Sequence, residues 1–264
     1  MKKINRNITF AALVISVLMP FTVLIIWSFS TRWFYPQLWP EQWGLRAWQY
    51  IFGTAGTQII AGLIQSMLVA LATAAISIII GVPAGRALGL YDFKAKDTIS
   101  VMLMLPVIVP PLCVAMGLQL WFIKLGLAET FIGVVLVHLT FCLPYSIFVM
   151  WGVFSNYDPD YENQARTLGA NSREIITRVM LPLTLPGIMV AGLFSFLLSW
   201  SQYLSTLIIG GGRVITLPIL LFALMGSGDR PVAAAVSLVF VAPAFAALLF
   251  SARYLGSKSI AGVR

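Results

Sequence analysis

The chain has 264 residues, of which 59% are hydrophobic and 10% are charged, and its formal net charge is +8 at pH 7. In soluble domains about a quarter of the residues are charged. This composition, with a mean hydropathy of +0.93, therefore excludes an ordinary soluble protein. The lysines and arginines are scattered rather than grouped in a stripe, which argues against a nucleic-acid partner.

Four apolar stretches of the first 154 residues are long enough to cross a membrane, which takes about 20 residues of helix. They run over residues 8–30, 58–84, 98–123 and 130–154. The first has an apolar core too long for a signal peptide, and no Ala-x-Ala cleavage site precedes Arg32, so we predict a retained helix. In the second, Gly81 and Gly85 lie one helical turn apart and favour close helix packing.

Prolines mark the third stretch as a candidate for lining a pathway. Pro106, Pro110 and Pro111 remove backbone donors and force kinks or breaks in a helix. At membrane depth, freed carbonyl groups are tolerated only where protein or a water-filled cavity satisfies them. We therefore place Pro110 and Pro111 on the translocation path.

Aromatic residues concentrate in the loop at 32–57 between the first two stretches. Such rings favour the boundary between membrane and water, so the sequence indicates an interfacial segment. A docking surface for an external partner is the alternative. The residues are Trp33, Tyr35, Trp39, Trp43, Trp48 and Tyr50.

A polar interruption at 158–182 separates the fourth stretch from the fifth and holds four of the nine acidic residues. Asp158 before Pro159 is a typical helix start, and Gly169 is suited to end that helix. Asn171 with Glu174 three residues later has the pattern of a capping box for a second helix. The sequence predicts two short helices joined by a turn and held outside the bilayer, in position for a docking partner.

The last two long stretches cover 186–209 and 231–254. The fifth carries many polar side chains, which fit either hydrogen bonding between helices or a face turned to substrate. We take four of them as candidate path residues. The apolar piece 216–225 between these stretches is too short to span and fits a re-entrant or interfacial segment. The candidates are Ser199, Ser201, Gln202 and Tyr203.

Six spans place both termini on one side of the membrane, and the basic residues indicate which side. Twelve of the 17 lysines and arginines fall on the side of the termini and of segment 158–182. Because positive residues concentrate on the cytoplasmic side, we predict both termini and this segment in the cytoplasm. The fold class is therefore an all-α polytopic membrane protein with six transmembrane helices in a single domain, 1–264.

No catalytic constellation is visible in the sequence. It has no Gly-x-x-x-x-Gly-Lys-Ser/Thr phosphate loop, no nucleophile–base pattern and no His/Cys metal cluster. Cys113 and Cys142 fit buried small hydrophobic residues, and the single histidine, His138, fits a packed or partner-facing role better than a proton relay. We expect no enzyme, no metal and no cofactor in this chain.

The spacing from Gly169 to Val179-Met-Leu181-Pro182 resembles the cytoplasmic signature of binding-protein-dependent ABC importer permeases. That signature reads Glu-Ala-Ala, three residues, Gly, nine residues, Ile, any residue, Leu-Pro. Here the triplet is Asn163-Gln164-Ala165, and Glu162 matches an acidic residue common just before it. The resemblance implies an ATPase-coupling role for Glu162, Ala165, Arg166, Leu168, Gly169, Ala170, Val179, Leu181 and Pro182.

The family implies the partners. On the cytoplasmic side the resemblance implies an ABC ATPase dimer. Within the inner membrane it implies lipid and a second permease subunit, which is identical or paralogous to this chain. Outside, it implies an external or periplasmic substrate-binding protein. Residues 105–111 and 212–218 look most like the group that serves polyamines, iron, thiamine and phosphonates. The alternatives are a stand-alone secondary transporter or channel, with His138 as the titratable group, and a non-transporting membrane scaffold.

Overall fold

The computed structural model describes residues 2–34, 36–53 and 56–258, with the backbone alone at 2–7 and 254–258. Tyr35 of the aromatic loop and the end of the chain beyond residue 258 lie outside this range. The helices of the first half are α1 (Lys2–Ser28), α2 (Arg46–Phe52), α3 (Thr57–Leu90), α4 (Lys96–Ile108), α5 (Pro111–Lys124) and α6 (Phe131–Ser155). A short antiparallel pair, β1 (Ser30–Arg32) and β2 (Gln42–Trp43), lies between α1 and α2.

The second half begins with α7 (Asp160–Thr167) and α8 (Ser172–Glu174). A π-helical segment (Ile175–Met180) leads directly into α9 (Leu181–Trp200). The chain continues with α10 (Leu204–Gly210), α11 (Leu217–Gly226) and α12 (Arg230–Lys258).

The helical fold confirms the predicted class, and the number of spans agrees with the sequence. Within the described residues, five helices are long and apolar enough to cross a membrane, and a sixth span results if α4 and α5 count as one. The axes of α4 and α5 differ by 101°, so the stretch 98–123 does not form the continuous span that the sequence predicted. Pro110, which cannot donate a backbone hydrogen bond, lies between the two helices.

Two other boundaries also differ from prediction. Helix α3 continues to Leu90, six residues past the predicted end of the second span, and therefore includes Arg86. The fifth span was predicted at 186–209, but its helix covers Ser172–Trp200 and is interrupted before α10. The apolar piece at 216–225 forms α11, a helix of ten residues.

The chain divides into two compact units, of which the first comprises Met1–Ile64 and Leu217–Pro243. Its core joins α2 and the start of α3 to α11 and α12 through Ala47, Ile51, Ile59, Leu217, Val232, Ala235 and Val236. Every side chain from residue 8 to residue 20 of α1 is exposed, as expected for a helix that faces lipid or another subunit.

The second unit comprises Gln65–Thr216 and Ala244–Arg264. Within this unit, glycines of α3 lie against larger residues of α6. A β-carbon added at Gly85 would overlap Met150, and the glycines one turn before and after it face Ser146 and Phe154 in the same way. This close contact fixes α3 and α6 as a rigid pair on which the segment 158–182 rests.

Candidate functional site

In the segment between α6 and α9, side-chain hydrogen bonds mark the start of α7 and the start of α8. The Asp158 carboxylate accepts a hydrogen bond from the backbone N–H of Asp160 at 3.0 Å, and α7 begins there, one residue later than Pro159, the predicted start. At the far end of the turn, Asn171 and Glu174 form the predicted capping box through two reciprocal hydrogen bonds of 3.0 Å. The capping box confirms the predicted start of a second helix after the turn. This helix is not short, because it continues from Ser172 through the π-helical segment into α9 and ends at Trp200.

The turn itself is a Schellman motif around Gly169, which has φ +88°. The N–H of Gly169 donates to the carbonyl oxygen of Arg166, and the N–H of Ala170 donates to that of Ala165. Because side-chain-bearing residues rarely adopt this φ, the turn requires glycine or, at some cost, asparagine. The glycine of the signature is therefore explained by backbone geometry within this chain.

One side of the turn projects away from the rest of the chain. Leu168 is 89% exposed, and a β-carbon added at Gly169 would meet no atom within 4 Å. The Arg166 side chain is 60% exposed. The tip of the turn therefore presents an apolar side chain with open space beside it.

Glu162 lies on α7, one helical turn before Arg166, and is buried, with 4% exposure. Its Oε2 atom is 2.8 Å from Nη2 of Arg86 on α3 and 3.7 Å from Nη2 of Arg166. The hydroxyl of Tyr157 donates a hydrogen bond to Oε1 at 3.2 Å. The carboxylate is thus compensated by charge and hydrogen bonding, as a buried charge requires.

The same cluster raises the pKa of Tyr157 to about 12, first because burial disfavours the phenolate and then because of the negative charge on Glu162. The phenol keeps its proton at any physiological pH. It remains a hydrogen-bond donor to Glu162.

Arg86 extends the cluster to the π-helical segment. Its Nη1 atom lies 3.0 Å from Sδ of Met180, the last residue of that segment, while Nη2 contacts Glu162. One guanidinium group therefore joins α3, α7 and the start of α9. A π-helical stretch has an extra residue per hydrogen-bonded turn and often occurs at functional positions.

The other predicted coupling residues lie along this segment with graded exposure. Ala165, Ala170 and Val179 are half-buried, and Leu181 and Pro182 are exposed in the first turn of α9. The structure thus separates the residues of the signature into a group that projects and a group that packs. Glu162 belongs to the second group.

The residues predicted for the translocation path occupy two helix breaks. Pro110 and Pro111 are exposed at the bend between α4 and α5. Ser201, Gln202 and Tyr203 form the interruption between α9 and α10. The Gln202 side chain accepts a hydrogen bond from Ser205 at 2.8 Å, and Ser201 donates to the carbonyl oxygen of Leu198.

Ser199 is placed differently, because it is 3% exposed and contacts His138. Its hydroxyl lies 2.8 Å from Nδ1 of His138, and the Thr206 hydroxyl lies 2.8 Å from Nε2. Thr206 also donates to the carbonyl oxygen of Gln202 at 3.0 Å, so it accepts from Nε2–H, and Ser199 donates to Nδ1. His138 therefore links α6 to both sides of the helix break.

The comparison with known families decides the identity of this arrangement. Residues 77–259, more than half of the chain, match the family "Binding-protein-dependent transport system inner membrane component". The chain belongs to this family. It is a permease of an ABC import system, and its helical fold agrees with the family.

Two relatives illustrate the similarity of this permease to others. The spermidine/putrescine transport system permease protein PotC of Haemophilus influenzae is 28% identical over 193 residues, which cover 73% of this chain and 75% of that protein. The inner membrane ABC transporter permease protein YcjP of Escherichia coli is 26% identical over 261 residues, which cover 96% and 92%.

Solved structures share the fold of the permease. A bacterial ABC transporter involved in the import of the acidic polysaccharide alginate matches with a TM-score of 0.74 at 16% identity, over 96% of this chain and 95% of that one. The alginate transporter in complex with an alginate pentasaccharide-bound periplasmic protein matches with a TM-score of 0.61 at 13% identity, over 95% and 94%. The permease is a transport subunit of the inner membrane rather than a catalytic enzyme.

Three residues of the cluster around Glu162 were missed by the sequence interpretation, namely Arg86, Tyr157 and Met180. The predicted second span ended at residue 84, so Arg86 was placed outside it, whereas α3 continues to Leu90. A partial signal does exist in the sequence: Arg86 is an isolated charge two residues after the predicted end of the second span. An isolated charge in such a position is expected to have a partner of opposite sign, but the sequence does not show which acidic residue it is.

Proposed function

We propose that segment 158–182 is the docking site of a cytoplasmic ABC ATPase, whose ATP-driven closure moves this segment and thereby reorients the membrane helices. The observation that carries this proposal is the exposed tip of the turn, with Leu168 at 89% exposure and open space beside Gly169. Burial of this apolar side chain by a partner would stabilise the complex by about 25 cal/mol per Å² of apolar area removed from water. ATP hydrolysis takes place in that partner, since the sequence has no phosphate-binding loop.

The distribution of basic residues supports a cytoplasmic position for both termini and for this segment. The opposite side of the membrane carries five of the 17 lysines and arginines, namely Arg32, Arg46, Lys124, Arg213 and Arg230. This asymmetry is what positive-inside topology produces. The ATPase and the proposed docking site then share one compartment.

The remaining partners follow from what the importer must do. A second permease subunit pairs with this chain around one path, and an external or periplasmic binding protein delivers the solute. The solved alginate transporter, which shares the fold, was captured with its solute-bound periplasmic protein. No cofactor is required in this chain.

The proposed path runs past the two helix breaks at Pro110 and at 201–203. Backbone groups freed at such breaks are available to a solute when the breaks line a water-filled cavity. The stretch Trp200–Tyr203 carries no carboxylate, which disfavours a polyamine as the solute even though one relative is named for spermidine and putrescine.

Geometry favours this proposal over a stand-alone secondary transporter. The rival would need an ion-coupling group within a span, and the sequence offers His138 alone for that role. Both ring nitrogens of His138 are engaged by the hydroxyls of Ser199 and Thr206. A histidine held this way acts as a link between helices.

The first experiment is affinity purification of the permease from its native host in mild detergent, with identification of what co-purifies. We expect an ATPase and a second permease subunit. Recovery of this chain alone, in a state that still moves solute, would contradict the proposal and favour a secondary transporter or channel.

A pair of variants at Gly169 tests the docking site directly. Gly169→Leu places a bulky side chain on the proposed contact surface, and we expect loss of the co-purifying ATPase with normal membrane insertion. Because φ at this residue is +88°, leucine also strains the backbone by about 1–2 kcal/mol. Gly169→Asn is the control, since asparagine tolerates this conformation and leaves the surface less obstructed. Undiminished ATPase recovery with Gly169→Leu would refute the assignment.

A further inference from the structure

The Arg86 guanidinium group lies where three helical segments meet. Its two terminal nitrogens contact Glu162 of α7 at 2.8 Å and Met180 of the π-helical segment at 3.0 Å. The side chain is 23% exposed, and that of Glu162 is 5% exposed. Removal of one partner from a pair so largely withdrawn from water leaves the other charge buried without compensation, which is far more costly than loss of a surface ion pair.

The base of Arg86 is itself immobile. Gly85 and Gly89, its neighbours on α3, bring this helix against Met150 and Phe154 of α6 so closely that a β-carbon at either glycine would overlap them. Met150 and Phe154 belong to a buried cluster that also includes Met180 of the π-helical segment and Ala191 of α9. Arg86 is therefore anchored on the rigid pair of α3 and α6.

Two arginines approach Glu162 of α7, and they differ in distance and exposure. Arg166 approaches the same Glu162 oxygen, but at 3.7 Å and with 60% of its side chain exposed. Arg166 belongs to α7 itself, so this pair joins α7 to no other element. Arg86, by contrast, reaches Glu162 from a position 76 residues away.

We propose that Arg86 is a positioning residue for energy coupling: it holds α7 and the π-helical segment to α3, so that movement of the coupling segment carries the membrane helices with it. Without this contact, α7 would move with the ATPase while α3 stayed behind. The inference rests on the proposed function, because it takes the 158–182 segment as the point where the ATPase acts.

The test compares Arg86→Gln with Arg166→Gln in full-length permease in lipid nanodiscs. Each variant removes one cation from Glu162 and keeps a long polar side chain. The first measurement is hydrogen–deuterium exchange of residues 160–167 in the permease without other subunits. We expect Arg86→Gln to accelerate exchange there by roughly tenfold, because loss of a buried ion pair makes local opening of α7 more frequent. We expect Arg166→Gln to change the exchange rate by less than about twofold.

The second measurement uses the complex with its co-purified ATPase, with and without ATP and vanadate, and follows exchange at residues 84–90 of α3. Trapping of the ATPase with ATP and vanadate should alter the exchange rate at α3 in the wild type and in Arg166→Gln. In Arg86→Gln the ATPase should still bind and hydrolyse ATP, but the change in hydrogen–deuterium exchange on trapping should be confined to α7. A purely structural role for Arg86 would alter exchange in both states equally and would not abolish this transmitted response.

Rescue provides the strictest criterion. The double variant Arg86→Glu with Glu162→Arg restores an ion pair and should restore the transmitted response. If the double variant does not insert into the membrane, Arg86→Lys replaces it and should give an intermediate response, since lysine keeps the charge but loses the second contact.

The inference is overturned if Arg86→Gln transmits the response to α3 like the wild type, or if Arg166→Gln matches Arg86→Gln in both measurements. Failure of the proposed function has a different signature: no ATPase co-purifies with the wild-type chain. Exchange at 160–167 in the isolated permease would still report on the Arg86 contact in that case.

Discussion

Replacement of Leu168 by alanine separates binding of the ATPase from stability of the permease. The leucine side chain is 89% exposed at the tip of the turn between α7 and α8. Since it buries almost nothing within its own chain, we expect Leu168→Ala to change the free energy of unfolding by no more than about 0.5 kcal/mol. Any larger effect must come from a contact with another subunit.

The size of the binding effect follows from the apolar groups removed. Alanine lacks three carbon atoms of leucine, and burial of each such group contributes about 0.8 kcal/mol, so complete burial in the partner would contribute roughly 2 kcal/mol. At about 1.4 kcal/mol per factor of ten, the dissociation constant of the ATPase should rise roughly thirtyfold.

The assay is titration of the purified ATPase onto permease in nanodiscs, read by surface plasmon resonance, with the midpoint of thermal unfolding in detergent measured in parallel. The matched control is Leu38→Ala, because Leu38 is 86% exposed and lies in the loop proposed for the opposite side of the membrane. Its ATPase affinity should equal that of the wild type. Wild-type affinity in Leu168→Ala would refute the argument that this exposed leucine marks the docking surface.

Two further variants test the interior of the second unit. Gly85→Ala adds a β-carbon that overlaps Met150, so it should lower the free energy of unfolding by about 1–3 kcal/mol. The control is Gly152→Ala, whose β-carbon would meet no atom within 4 Å and which should be neutral or stabilising. Equal midpoints of thermal unfolding for the two variants would contradict the close packing of α3 against α6. His138→Ala leaves the hydroxyl of Ser199 without its partner and opens a cavity, so it should cost about 2 kcal/mol or more in thermal unfolding; an unchanged midpoint would rule out the proposed link between helices.

The sequence predicts local structure well in this protein because the deciding interactions connect residues close along the chain. The capping box pairs Asn171 with Glu174, and the turn at Gly169 is closed by hydrogen bonds to Arg166 and Ala165. Each of these bonds spans five residues or fewer, so residue type and spacing are sufficient to specify them. The apolar spans are equally accessible, since their length follows from the thickness of a bilayer.

Sequence alone determined that this chain is an all-α membrane protein with a capped polar segment of importer type. The tertiary structure decided which of its residues face a partner and which face the protein. Glu162 and Leu168 are six positions apart on one short segment, yet one is buried against Arg86 and the other is 89% exposed. That difference depends on a guanidinium group 76 residues away from Glu162, and such a contact follows from how helices pack rather than from the spacing of residues along any one of them.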